Sequence, residues 1–363
     1  MEQQTLEQQT FKCKQCGAEL AFAAGTSSLA CPYCGAANEI EGQGPVKAGD
    51  QKEIKFDEYV NRYESQLGAS GMEVKVVKCA ACGGETTLSP NVTSGFCDFC
   101  GAQLSVPAQS WKVMKPQYVL PFKLTREQST QKLQTWMKEL WFAPVGFKRL
   151  AYASGQIKGI YFPFWTFDSK TSTWYRGERG DNHRVASGKD SKGNVQYKTV
   201  TNWTPKSGTI GQTFDDVLVP GSDSLPKGLT GQLDQWNLDG MVEYADAYIA
   251  GFHAESYTVD VRNASDLARE KMEARIVEAI RRDIGGDQQR IHEKKTAYQE
   301  VTFKHILLPI WFTLYNYKGK LYNVVINADS GEIEGERPWS ILKMILLILF
   351  VAALFAVGYS ISQ

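Results

Sequence analysis

Eight cysteines, the chain's whole supply, fall as two copies of one pattern: Cys13-x2-Cys16…Cys31-x2-Cys34 and Cys79-x2-Cys82…Cys97-x2-Cys100. Fourteen residues separate the inner cysteines in each copy, and an offset of 66 carries the first set onto the second. A Cys-x2-Cys turn points two thiolates at one metal, and two such turns complete the four-sulfur set that Zn2+ favours. Glycine follows every second cysteine, at Gly17, Gly35, Gly83 and Gly101. It supplies the positive φ of a tight knuckle and lets backbone N–H groups approach sulfur. The spacing predicts two structural zinc ribbons, with all eight cysteines as ligands and two Zn2+ per chain. Two disulfide-bonded modules are the competing reading, which a cytosolic setting disfavours.

At 363 residues and 43% hydrophobic content the chain is expected to fold into more than one domain. Its 40 basic residues balance 40 acidic ones, so no global field draws it to nucleic acid. The first 115 residues hold 10 Lys/Arg against 13 Asp/Glu, and each four-thiolate zinc site would add roughly −2. The ribbon half is therefore acidic. Residues 1–10 are polar and lack the basic and apolar regions of a signal peptide, which points to the cytosol.

The expected organisation is α+β and multidomain. Zinc ribbon 1 takes residues 1–40, a linker with a short helix 41–75, ribbon 2 residues 76–107, an aromatic-rich antiparallel α+β domain 108–338 and a transmembrane helix 339–363. Phe56, Tyr59, Val60, Tyr63 and Leu67 share one face of the linker helix, while residues 41–50 read as flexible. Thr125-Arg-Glu-Gln128 is a capping box, and Leu133, Trp136, Met137, Leu140 and Trp141 form the stripe of the helix it starts. A second helix is predicted over 265–284, stopped by Gly285-Gly286.

Strands are predicted over 158–176, 197–203 and 209–219, with an exposed hairpin tip at 178–198, and a meander over 301–334. Phe162-Pro-Phe-Trp165 and Leu308-Pro-Ile-Trp311 share an aromatic-proline pattern at an offset of 146, each after a helix. They read as copies of one helix-plus-meander unit, their prolines at strand edges or bulges. Residues 344–361 carry no charge, enough to span a hydrocarbon core with their flanks. Trp339 and Tyr359 stand where interfacial aromatics belong, and Arg337 and Lys343 flank the N-terminal side only, which places the preceding chain in the cytoplasm.

Catalytic signatures are missing. There is no G-x-x-x-x-G-K-[ST], no H-E-x-x-H and no G-x-S-x-G. Asp215 and Asp216 are adjacent, so on a strand they face opposite sides and cannot act as an acid/base pair. His183, His253, His292 and His305 are isolated in sequence, and every cysteine is committed to metal. No catalytic or cofactor-binding residue and no small-molecule substrate is expected.

The double ribbon, Gly159-Ile-Tyr-Phe-Pro-Phe-Trp-Thr-Phe-Asp168, Arg179-Gly180, Thr213-Phe-Asp-Asp-Val-Leu-Val219, Ala250-Gly-Phe252 and Tyr322-Asn-Val-Val-Ile-Asn327…Gly335-Glu-Arg-Pro-Trp339 together resemble a bacterial family. Its members are transcription-factor-IIB-type zinc-ribbon proteins with a terminal membrane helix. They are often labelled primosomal protein N′, a superfamily II helicase, yet this sequence lacks the nucleotide site that label requires. The resemblance implies a membrane adaptor partnered with stomatin/prohibitin/flotillin-domain or phage-shock-type stress proteins. It carries over only the eight cysteines as functional residues. The rival expectation from another class is a nucleic-acid-binding ribbon factor related to replication, without its own ATPase; salt-dependent duplex binding is its mark.

Overall fold

The structure, a computed structural model, describes residues 11–40, 44–62, 72–88, 94–97, 99–105, 111–153, 157–189, 191, 193, 195–225, 229, 233 and 235–361, with side chains of the last helix as far as Ala356. The first ribbon comprises β1 (Ala21–Phe22), β2 (Ser28–Ala30) and β3 (Ala37–Glu39). β4 (Ile54–Lys55) and helix α1 (Phe56–Arg62) follow. The second ribbon contains β5 (Met72–Lys78), β6 (Glu85–Leu88), β7 (Ser94–Phe96) and β8 (Gln103–Ser105), and β9 (Trp111–Val113) returns to pair with β5. The larger unit runs β10 (Tyr118–Val119), α2 (Arg126–Glu139), α3 (Val145–Ala153), β11 (Lys158–Lys189), β12 (Val195–Pro220), β13 (Val242–Glu243), α4 (Asp246–Ile249) and β14 (His253–Ala254). It closes with α5 (Val261–Ile284), β15 (Gln288–Tyr317), β16 (Lys320–Asn327), β17 (Ile333–Gly335) and α6 (Ile341–Ile361).

Two very long strands, β11 and β15, pair antiparallel at the centre of a nine-stranded sheet. Alternation sorts their side chains between two faces. Tyr161, Leu307, Trp311 and Tyr315 enter one core, whereas Ile160, Phe162, Phe164, Ile306, Leu308, Ile310 and Phe312 enter another on the opposite face. Farther along, Trp165, Phe167, Tyr175 and Phe303 pack under α5. The strands outrun the sequence expectation. β11 and β12 stay paired as far as Lys189 and Val195, so most of the expected hairpin tip is strand. β15 begins at Gln288, in a polar stretch whose burial alternates only weakly.

The two Pro-x-Trp segments lie against each other, Tyr161 opposite Pro309 and Pro163 opposite Leu307. Their prolines sit in central strands, contrary to the edge-or-bulge expectation, at breaks in the neighbouring ladder. Pro163 falls between β14, which pairs with Ile160 and Tyr161, and β12, which starts opposite Phe164. Pro309 falls between β10, opposite Ile306 and Leu307, and β16, which starts opposite Ile310. A missing N–H is harmless where no partner strand passes.

The likeness extends further. The Trp165 indole N–H donates to the carbonyl of Val259 at 2.9 Å, just before the Asp260 cap of α5. That of Trp311 donates to Leu124 at 3.0 Å, just before the Thr125 cap of α2. Short β10 runs parallel to β15 and short β14 parallel to β11, each strand-helix unit lending its first strand to the other's long one. A two-fold repeat of short strand, helix and long strand accounts for all of this.

The capping box forms as predicted, and α5 starts earlier than expected because the Asp260 carboxylate accepts from the N–H groups of Arg262 and Asn263. The described part of the linker is fastened to the sheet rather than free: Val46 N–H donates to Met241 at 2.8 Å, and Gln51 is buried. Tyr63 and Leu67 of the expected linker helix lie outside the described residues, and of the expected span at 344–361 the side chains are described as far as Ala356. Among the described residues no helix is long and apolar enough to cross a membrane. Nor is α6 a buried core helix: Ile345, Leu346, Ile348, Phe350 and Phe355 are all exposed.

Candidate metal centres

Each ribbon gathers its four cysteines so that all Sγ atoms lie within 4.8 Å of one another. The closest approaches are 3.6 Å for Cys13 with Cys34 and 3.5 Å for Cys16 with Cys31, and again 3.6 Å for Cys79 with Cys100 and 3.5 Å for Cys82 with Cys97. These separations exceed a sulfur-sulfur bond of about 2.0 Å, and all eight cysteines are free. A tetrahedron with metal–sulfur bonds of ~2.3 Å has edges of ~3.8 Å. The donor set fits a tetrahedral cation such as zinc.

Four knuckles repeat one hydrogen-bond pattern. Gly17, Gly35, Gly83 and Gly101 donate their N–H groups to the carbonyls of Cys13, Cys31, Cys79 and Cys97 at 2.9, 3.0, 2.8 and 2.7 Å. Those cysteines donate onward to Ala18, Ala36, Gly84 and Ala102. All four knuckle glycines have φ between +73° and +78°, and a Cβ on any of them would touch nothing. The requirement is therefore for left-handed backbone alone.

The pattern also tunes the sulfurs. Backbone N–H groups of Cys16 and Gln15 hold the Cys13 thiol below its ordinary range, and the N–H of Cys34 brings Cys31 to about 6. Burial pushes Cys82 well up. Four neighbouring thiolates need a cation to ionise together.

The two centres are rooted in opposite faces of the sheet. Leu20, Phe22, Leu29, Cys13 and Cys31 belong to one core with Phe122, Tyr161 and Trp311. Val77, Phe99, Leu104, Cys79 and Cys97 belong to the other with Phe162, Leu308 and Phe312. Phe99 meets Phe312 edge-on at 5.0 Å, and it reaches there only because Gly84 has no Cβ, which would come within 2.6 Å of the ring. The position matching Phe99 in the first ribbon is Tyr33, and it is 83% exposed. Duplicated sequence has thus produced one knuckle turned inward and one turned out.

Sequence reasoning missed a buried charge cluster. Lys304 is fully buried on β15 and pairs with Asp216 at 2.7 Å and Glu53 at 3.4 Å. Asp216 holds a positive φ of 49° and donates its N–H to Asp168. Nothing in a strand reading distinguishes Lys304 from a solvated lysine. The only signal was the pair Asp215-Asp216 inside a strand pattern, excluded above as an acid/base pair but informative as a bulge. Burial and then the hydrogen bond with Glu53 push Asp168 up to about 8, while Glu53 is lowered. Of the two carboxyls, Asp168 is the one pushed toward its protonated form.

A group whose folded pKa is raised stabilises fully below its unfolded value, and that contribution is lost as pH rises through the folded value. For Asp168 the window runs from about 4 to 8; Glu53 works in the opposite sense, at the acid end. Asp168→Asn keeps the neutral form's hydrogen bonds. Its unfolding free energy, read from urea denaturation, is expected to decline less than the wild type's between pH 6 and pH 9, by a slope of at most about 1.4 kcal/mol per pH unit. Parallel curves for the two proteins would refute the shared proton.

The histidines stay apart. His305 is buried between Trp165 and Tyr257, where burial lowers its pKa to about 4. His292 faces Glu178, and His183 lies on the exposed arm. Among the described residues the two cysteine clusters are the groups arranged to hold a metal.

A protein of Bacillus subtilis (strain 168) with the name "Uncharacterized protein YdjG" is 24% identical over 333 residues, which cover 91% of this chain and 90% of that one. No family model and no solved structure matches the chain.

Proposed function

We propose that the chain binds two Zn2+ as permanent structural ions and serves as a non-enzymatic adaptor, held by α6 in the cytoplasmic membrane as a single span with all preceding residues in the cytoplasm. The observation that carries this reading is α6 itself. Its described side chains are apolar and outward-facing apart from Lys343, and among the described residues no other element covers them. Leaving a large aliphatic side chain in water forgoes roughly 1.5–3 kcal/mol, so such a surface needs a cover. Lipid suits a helix apolar all round, and Arg337 and Lys343 mark its cytoplasmic end.

The recruiting element in this reading is the outward knuckle of ribbon 1, where Tyr33 stands exposed beside Cys34. Exposed tyrosine on a rigid, metal-fixed loop is a low-entropy anchor for a protein partner. The family resemblance supplies the partner class, a stomatin/prohibitin/flotillin-domain or phage-shock-type protein.

Tyr33→Ala is expected to keep zinc content and change stability by less than about 0.5 kcal/mol, while lowering capture of such a partner more than about tenfold. Co-purification of the tagged full chain from membranes, read by mass spectrometry, checks this. Undiminished capture by the variant would remove ribbon 1 from the mechanism. Recovery of nucleic acid alone would favour the ribbon factor related to replication.

A further inference from the structure

The junction between α6 and the rest of the protein is built on the elbow joining α2 to α3. Lys343 donates its Nζ to the carbonyls of Trp141 and Ala143 at 2.7 and 3.0 Å, and Ser340 N–H donates to Phe142 at 2.8 Å. The Phe142 ring lies 6.0 Å from that of Trp339, over which Arg337 sits. The first turn of α6 and the elbow are thereby fixed at one level.

Beyond those bonds the elbow is bare. Trp141 is 75% exposed and Val145 56%, beside Trp339 at 55% and Ile341 at 70%. A tryptophan has no reason to stand free on a tight helix-helix corner for the sake of the fold, since Leu140, Ala143 and Phe147 already fill the core there. Around it the charge is mainly positive. Lys138 and Arg149 are exposed. Lys148 reaches back to the Lys138 carbonyl at 2.8 Å, with its own pKa lowered by burial and by Lys343. Of the nearby carboxylates, Glu336 is taken up by Asn323, and Glu139 is exposed.

We infer that the α2–α3 elbow is a second membrane contact, which seats Trp141 and Val145 in the headgroup layer while Lys138, Lys148 and Arg149 face anionic lipid phosphates. Amphipathic indole rings settle at that depth, and basic side chains favour an anionic leaflet. The inference rests on the reading of α6 as the anchor, whose first turn sets the elbow at the interface. Its consequence is orientation: two attachment points hold the ribbons at a fixed attitude above the bilayer, where one flexible tether would let them tumble.

The test uses the full chain in vesicles of equal parts phosphatidylglycerol and phosphatidylcholine, the latter carrying brominated acyl chains that quench nearby indoles. Trp141 and Trp339 share the quench, so Trp141→Phe and Trp339→Phe are each expected to remove about half of it. In bromine-labelled phosphatidylcholine alone, or with Lys138→Glu and Arg149→Glu together, the Trp141 share is expected to fall while the Trp339 share holds. If Trp339→Phe reduces the quench and Trp141→Phe does not, the elbow contact is wrong and the anchor stands. A Trp141 share that is indifferent to phosphatidylglycerol overturns the anionic-lipid assignment. Protein that leaves the vesicles under carbonate washing overturns the anchor, and the elbow contact with it.

Discussion

Lys304→Met is expected to destabilise the protein by about 3–5 kcal/mol, because it leaves Asp216 and Glu53 with charge and without the cation that makes their burial tolerable. Lys304 has no exposed surface, and its stem fills space in the sheet, which methionine keeps filled. The loss is therefore electrostatic rather than a cavity. The cluster also ties distant segments together. Glu53 precedes β4, Asp216 belongs to β12 and Thr302 to β15; the Thr302 hydroxyl donates to Glu53 and lies 3.4 Å from the Asp168 carboxyl. Adding Asp216→Asn to Lys304→Met removes one orphaned charge and is expected to recover part of the loss. Urea denaturation of the two variants measures both effects; a single variant within about 1 kcal/mol of wild type would show that the pairs hold nothing.

Removal of the metals is expected to have a larger effect still, and to reach well beyond the ribbons. Free-standing ribbons would unfold on chelation and leave a separate domain intact. Here Phe22 packs on Tyr248 at 5.7 Å and donates its N–H to Ala250, and Gly25 donates to Phe122. On the other face Phe99 covers Phe312. Losing both ribbons strips both faces of β11 and β15. Structural zinc contributes about 10–16 kcal/mol to small metal-dependent folds, as much as the entire stability of a typical domain, about 5–15 kcal/mol. The metal-free chain is therefore expected to lose its cooperative thermal transition. Cys31→Ser and Cys97→Ser are each expected to lose one ion and expose a different face.

The two four-cysteine clusters were legible because knuckle geometry is local: a Cys-x2-Cys-Gly turn encodes its own hydrogen bonds, and four such turns repeat them. The Thr125 cap and the Gly285-Gly286 stop were legible for the same reason. What the sequence hid was long-range. That Tyr33 points out while Phe99, its counterpart, points in depends on Phe312 more than two hundred residues away and on the space left by Gly84. The first half of β15, polar and charged, carries too little apolar alternation to show as a strand, and only its pairing with β11 makes it one. The shared Pro-x-Trp pattern hinted at a repeat. Its meaning, two tryptophans each holding the other unit's helix start, needed the pairing of the two segments.

Two zinc ions are expected to form part of this protein's core. Native mass spectrometry of the full chain, followed by hydrogen exchange before and after chelation, tests it most directly. Two zinc ions per chain are expected, one in Cys31→Ser and one in Cys97→Ser, with faster exchange on chelation at residues 160–167 of β11 and 303–312 of β15. A chain purified with no zinc, or with iron in its place, would contradict it, and so would central strands whose protection survives metal removal unchanged.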